Sequence, residues 1–280
     1  MKRLILLVAI ALIWACSPKN TGEVKVNIEQ VKADLQALSE TKLFFGHQSV
    51  GRNIIRGIKE LMQKSGVHTL HIIDAKKDSL PEFYFAQANV GKNKFPQTKC
   101  ADFARLIREK LGPDGVQFAF LKFCFVDVTR KSDVHEILRE YRSTIDTLQQ
   151  EFPQITFVRF TVPLKVKSAG FKSTIKRWLG KASTRDLDNA KRNAYNRLLK
   201  ETFRGKPVFD LAAVESTYPD GERETFTLKG QTLYSLVPRY SSDGGHLNAQ
   251  GRQWVAAHLL HYLARLVKEK THAGAVKKDQ

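Results

Sequence analysis

Val116 to Val128 is almost unbroken apolar chain, interrupted only by Gln117, Lys122 and Asp127. A run without alternation has no face that can look at water, so it reads as a central strand buried on both sides. Such strands belong to parallel sheets covered by helices on both faces. The rest of the chain fits that frame. Lys42–Gly46, Thr69–Ile73, Ile155–Val162 and Pro207–Leu211 read as further strands, and helical apolar spacing fills the intervals between them. Helices are expected from Ile28 to about Glu40, after Ser49, over Thr98–Leu111, from about Ser132 to Phe152, from about Asp186 to Phe203, and from about Ala249 to Val267. Residues 74–97 show no period and read as a long loop. The expectation is an α/β domain built on a five-stranded parallel sheet, with its functional site outside the carboxyl ends of the strands.

The ends set the location. Met1-Lys2-Arg3 precedes the apolar run Leu4–Trp14, which is too short to span a bilayer as a mature helix but suits a secretory signal. Ala15-Cys16 directly after that run resembles the lipobox of bacterial lipoproteins, which implies cleavage before Cys16 and acylation of that cysteine. Ordinary signal cleavage, with Cys16 incidental, is the alternative. Ser17 after the cysteine points to the outer membrane if the source is Gram-negative. The expected organisation is a signal peptide (1–15), a lipid-anchored tether and first helix (16–40), one domain (41–268) and a polar tail (269–280).

The formal net charge of +18 favours acidic partners such as anionic glycans or lipid headgroups. Export, and the lack of an aromatic-basic single-strand platform, argue against nucleic acid. Cys100 and Cys124 are open to a bridge or to two buried thiols. No CxxC pair or HExxH occurs, so no zinc site is expected. The basic stretch Lys165–Arg185, with Phe171 and Trp178, is either a solvated insertion or a lid facing an anionic polymer or a membrane.

Two short blocks carry chemistry. Gly46-His47-Gln48-Ser49-Val50-Gly51 follows the first strand and opens a helix, a turn that exposes a serine hydroxyl and aims helix N–H groups at it. A serine there is also a common N-cap. Far along the chain, Asp243-Gly244-Gly245-His246 sits before the last helix. A carboxylate three residues before a histidine can bond the imidazole Nδ1 and leave Nε2 free for a serine proton. Turn formation is the simpler reading of that block alone.

Together the two blocks, in this order of elements, resemble the SGNH (GDSL-type) hydrolase superfamily. Gly46–Gly51 stands where that superfamily has Gly-Asp-Ser-hydrophobic-x-Gly, and Asp243–Asn248 where it has Asp-x-x-His-Pro. The resemblance covers about residues 41–268. It implies a flavodoxin-like three-layer α/β/α sandwich, serine esterase chemistry, and no metal or cofactor. By position it makes Ser49 the nucleophile, His246 the base and Asp243 the orienter. Gln48 departs from the family's aspartate, and Phe123-Cys124-Phe125-Val126-Asp127 lacks the asparagine of its Gly-x-Asn-Asp block. Gly91 and Asn93 are the candidates to complete an oxyanion hole, Asn93 alternatively being an ordinary turn residue. His47 either contacts substrate or fixes the elbow through a backbone carbonyl, and Asp127 either anchors loops or acts in chemistry. The expected function is a membrane-anchored ester hydrolase removing acyl groups, acetyl foremost, from a carbohydrate or small ester. A non-catalytic glycan-binding or scaffolding lipoprotein and an acyltransferase are the alternatives.

Overall fold

The computed structural model describes residues 24–179 and 181–276. The signal run, Cys16 and the side chain of Trp178 lie outside the described residues. Among the described residues one parallel sheet holds six strands rather than the expected five. They are β1 (Lys42–His47), β2 (Ile72–Asp74), β3 (Tyr84–Asn89), β4 (Phe118–Leu121), β5 (Thr156–Phe160) and β6 (Val208–Phe209), in the spatial order β2-β3-β1-β4-β5-β6. The helices are α1 (Ile28–Leu38), α2 (Ser49–Ser65), α3 (Pro96–Leu106, prolonged by a π turn over Ile107–Leu111), α4 (Val134–Glu151), α5 (Phe171–Trp178), α6 (Thr184–Thr202), α7 (Leu211–Ser216) and α8 (Ala249–Val276). An antiparallel hairpin, β7 (Thr225–Leu228) and β8 (Gln231–Tyr234), occupies part of the segment before α8.

The aromatic residues show why the sheet is covered on both sides. Phe45, Phe120 and Phe160 lie on neighbouring strands with ring centroids 5.0 and 5.3 Å apart, and they share one core cluster with α1, α2 and α8. Phe44, Leu121 and Phe157 belong to the other cluster, with α3, α4 and α6. Burial on both faces also explains the missed strand. In β3, Tyr84, Phe85, Ala86 and Ala88 are all buried, so no alternation marked it. This strand pairs with β1, His47 opposite Asn89, and displaces the short β2 to the edge.

The long apolar run is a strand only in its first part. The chain leaves the sheet after Leu121, and residues 122–128 curl into a loop in which Asp127 N–H donates to the Cys124 carbonyl at 3.0 Å. At the other end α8 continues past Val267, where a polar tail was expected. Lys270 holds it to the amino ends of β4 and β5 by donating to the Gln154 carbonyl (2.9 Å) and Thr156 Oγ1 (3.2 Å) while its ammonium lies over Phe118. The basic stretch forms α5, pinned by the buried Arg177–Asp186 pair at 3.1 Å. Its outer side presents Phe171, Ile175 and Leu179 at 81, 40 and 57% exposure.

The helices α2 and α8 approach each other closely. A Cβ on Gly57 would stand 2.3 Å from the Arg252 carbonyl oxygen, so only glycine permits this contact. One turn on, Glu60 receives the Arg252 guanidinium, with Nε at 3.0 and 2.9 Å from its two oxygens. Replacing Gly57 with valine must push the helices apart, at a cost of about 1–3 kcal/mol. The urea midpoint of Gly57→Val is therefore lower than that of the parent protein; an unchanged midpoint would show that the two helices do not meet there.

Candidate active site

β1 ends at His47, and the chain turns through Gln48 into α2 with Ser49 as its first residue. Two glycines allow the turn: a Cβ on Gly46 would meet the Phe103 ring at 2.7 Å, and one on Gly51 would meet His47 Cβ at 2.3 Å. Gln48 is the N-cap, but its side chain does not cap the helix. Its amide instead donates to the Val90 and Gly91 carbonyls, both at 2.9 Å, and ties the loop after β3 to the elbow. That contact needs an N–H donor, which an aspartate at this position would lack. No acceptor within the described residues bonds the Ser49 or Val50 N–H. These free donors and the dipole of α2 make a positive site at the serine.

His47 fixes the elbow rather than meeting solvent. It is fully buried, with Nδ1 3.1 Å from the Gln48 carbonyl and Nε2 2.9 Å from the Gln87 side chain. Burial, followed by the nearby Lys122 ammonium, pushes its pKa down to about 3, so the ring is neutral.

His246 sits in a turn closed on itself. Asp243 Oδ2 lies 2.6 Å from His246 Nδ1, while its Oδ1 accepts the N–H groups of Gly245 and His246, both at 2.8 Å. Partial burial pushes this carboxyl up, but the imidazole and the two amides outweigh it and hold it below the usual carboxylate range. Ser241 Oγ donates to the His246 carbonyl at 2.6 Å, and Gly244 takes the positive φ of 78° that the path requires. Leu247 N–H donates to Asn53 Oδ1 at 3.2 Å, so the turn is fastened to α2 one helical turn beyond Ser49. The His246 ring meets Phe125 edge-on at 5.3 Å. No hydrogen bond joins Ser49 Oγ to His246 in this structure; the serine oxygen lies 4.0 Å from Cys124 Sγ.

Asp127 anchors loops. It is buried and accepts from Cys124 N–H (2.6 Å), Lys94 N–H (2.8 Å) and the fully buried Lys99 ammonium (2.5 Å). Lys99 also donates to Asn93 Oδ1 at 3.0 Å, which brings Asn93 to the same knot with its amide nitrogen left over. Gly91 corrects an expectation. Its N–H donates to Asp102 Oδ2 at 3.1 Å and is not free for an oxyanion, and a Cβ there would fall 2.4 Å from Lys99 N, so it is glycine to let the loop rest on α3. Cys124, expected within a strand, lies in the loop beside the serine, and both it and Cys100 are buried free thiols. Asp210 is structural: it accepts Thr161 Oγ1 and Ala213 N–H at the start of α7. Glu215 is buried, accepts Leu164 N–H, and is pushed up to about 8 by that burial.

Sequence reasoning overlooked Asn53, Phe125 and Lys99. Asn53 had a readable signal, since a polar residue four positions after Ser49 shares its helix face.

The neutral His47 has a consequence for stability. Its folded pKa lies below the unfolded value of roughly 6.5, so its contribution is complete above that pH and is lost as pH falls towards 3. Between pH 6.5 and 5, stability measured by urea unfolding falls less steeply in His47→Gln than in the parent. Equal slopes would contradict the burial of a neutral ring.

No family model matches this chain, and no curated protein matches its sequence. Solved structures with a similar arrangement exist. One is the "putative platelet activating factor from Streptococcus pneumonia", at 15% identity and a TM-score of 0.46, covering 84% of this chain and 92% of that one. Another is a carbohydrate acetylesterase family member from Sinorhizobium meliloti, at 12% identity and 0.41, covering 81% and 98%. The OSK domain of Drosophila Oskar is similar at 10% identity and 0.41, covering 83% and 95%. These likenesses carry no residue's role across to this chain.

Proposed function

We propose that the protein is a serine ester hydrolase of the SGNH type that removes acyl groups, acetyl foremost, from a carbohydrate. The observation that carries this reading is the Asp243–His246 bond at 2.6 Å, on a turn fastened to the helix that Ser49 begins. An imidazole held through Nδ1 offers Nε2 as a base. His246 takes the Ser49 proton as Oγ attacks the ester carbonyl carbon. The tetrahedral oxyanion forms at the start of α2, where the Ser49 N–H donates, with the Asn93 side-chain amide as second donor. His246 then gives the proton to the departing alcohol oxygen, and water, deprotonated by the same imidazole, releases the acid and restores Ser49. The Ser49–His246 hydrogen bond forms on this reading in the substrate complex, where catalytic bonds tighten.

The absence of that hydrogen bond from the structure, with the Gly91 N–H committed to Asp102, favours a second reading: a non-catalytic module of the same fold. Hydrolysis of p-nitrophenyl acetate separates the two. Ser49→Ala is expected to lose at least about 10³-fold in kcat/KM, and Asp243→Asn on the order of 10⁴-fold in kcat. Equal rates in parent and Ser49→Ala would leave only the non-catalytic reading.

We place the protein at the bacterial cell envelope, held by an acylated Cys16. The apolar run before Cys16 supports this. So does α5, whose exposed Phe171, Ile175 and Leu179 stand among Lys172 and Lys176, a face suited to a nearby bilayer. Labelled palmitate is incorporated into the parent chain and not into Cys16→Ser; equal incorporation would remove the anchor from the account.

A further inference from the structure

Next to His246 lies a cavity that the reaction scheme leaves unused. It has a volume of about 300 Å³, and its walls include Lys94, Phe125, Thr129, Lys165, Asp188 and Arg192. Phe125 is the wall shared with the catalytic turn, since His246 meets its ring at 5.3 Å. Two cations flank the same ring: Lys165 Nζ at 5.1 Å and Arg192 Cζ at 5.9 Å from the centroid. Gly245, inside the catalytic turn, is wedged between Phe125 and Lys165, so that a Cβ there would lie 3.0 Å from Lys165 Cε. The lysine therefore stands within a residue's width of the base.

The charges in this wall are unevenly answered. Arg192 is 2% exposed and acts as scaffold, its Nε donating to the Phe125 (2.8 Å) and Val128 (3.1 Å) carbonyls. Asp188 accepts the Arg130 N–H at 2.8 Å and pairs with the guanidinium groups of Arg130 (3.4 Å) and Arg192 (4.0 Å), Asp127 is taken by Lys99 and two amides, and Asp243 by His246. No carboxylate among the described residues pairs with Lys94 or Lys165. Arg185 adds a third cation, lying against Gly244. Burial first, then Arg185 and Arg192, push the Lys165 ammonium below its ordinary value, against the opposing pull of Asp243 and Asp188. Beyond Ser132 the surface changes sign, towards Asp133, Glu136 and Glu140.

Ammonium groups that line a partly enclosed wall and lack a carboxylate partner of their own, as Lys94 and Lys165 do, are stabilised by an incoming anion more than they would be on an open surface. We propose that this cavity is a subsite for an oxyanion group, carboxylate or phosphate, carried by the substrate beside its acyl ester. The substrate class that fits is the O-acyl ester of an acidic sugar. This rests on the esterase reading above and adds the charge of the substrate to it.

The test uses three acetylated methyl glycosides on the full chain: a neutral hexoside, the corresponding uronide, and a hexoside phosphate. The parent is expected to prefer an anionic ester over the neutral one by at least about tenfold in kcat/KM, mainly through KM and weakening with salt. Which anionic ester is preferred distinguishes carboxylate from phosphate. In Lys165→Gln the anionic-to-neutral ratio of kcat/KM falls about tenfold. A parent without preference, or a ratio unchanged in Lys165→Gln and in Lys94→Gln, would overturn the proposal. If no ester is hydrolysed, the enzyme reading fails, and the subsite is read directly by titrating methyl glucuronide and inorganic phosphate. Binding of either that is lost in Lys165→Gln sustains the subsite, and no binding overturns it.

Discussion

A single buried carboxylate ties together the loops beside Ser49. Asp127 gathers the amides of Cys124 and Lys94 and the ammonium of Lys99, and so joins the loop after β4, the loop after β3 and helix α3. Among the described residues Lys99 pairs with no other carboxylate, and removing one partner of a buried ion pair costs about 3–5 kcal/mol because the other charge is left unanswered. The knot is what lets two loops without internal regularity stand next to the β1–α2 elbow. Gln48 closes the arrangement from the other side through its two bonds to the Val90 and Gly91 carbonyls.

Much of this was legible in the residues. The elbow at Gly46–Gly51 and the turn at Asp243–His246 announce themselves because local chemistry fixes them: glycine where a Cβ would collide, and a carboxylate three residues from an imidazole. The parallel sheet follows from unbroken apolar runs. What stayed hidden was decided by contacts distant in sequence. β3 escaped notice since burial on both faces erased its period, and β4 was read as too long since apolar residues beyond Leu121 are buried in a loop rather than a strand. The position of Gly91 after β3 suggests a free N–H, whereas Asp102, eleven positions on, takes it.

The site also shows how departures from a familiar pattern can be absorbed. Where the SGNH pattern has an aspartate before the serine, this chain has a donor, Gln48, and uses it to hold a neighbouring loop. Where the pattern has an asparagine after the central strand, this chain keeps only the aspartate, Asp127, and Lys99 links it to Asn93 of the adjacent loop. His47, buried and neutral, fills the space beneath the elbow that Gly51 leaves open. Each change is local, and each is answered by a named contact.

The central claim is that Ser49 is a nucleophile activated by His246. A fluorophosphonate probe reports this directly, because it phosphonylates a serine whose proton has a base to accept it. Mass mapping of the labelled protein is expected to place the adduct on the peptide containing Ser49, and His246→Asn is expected to slow labelling on the order of 10³-fold or more. An adduct on another serine, no adduct at all, or labelling at an equal rate without His246 would contradict the account.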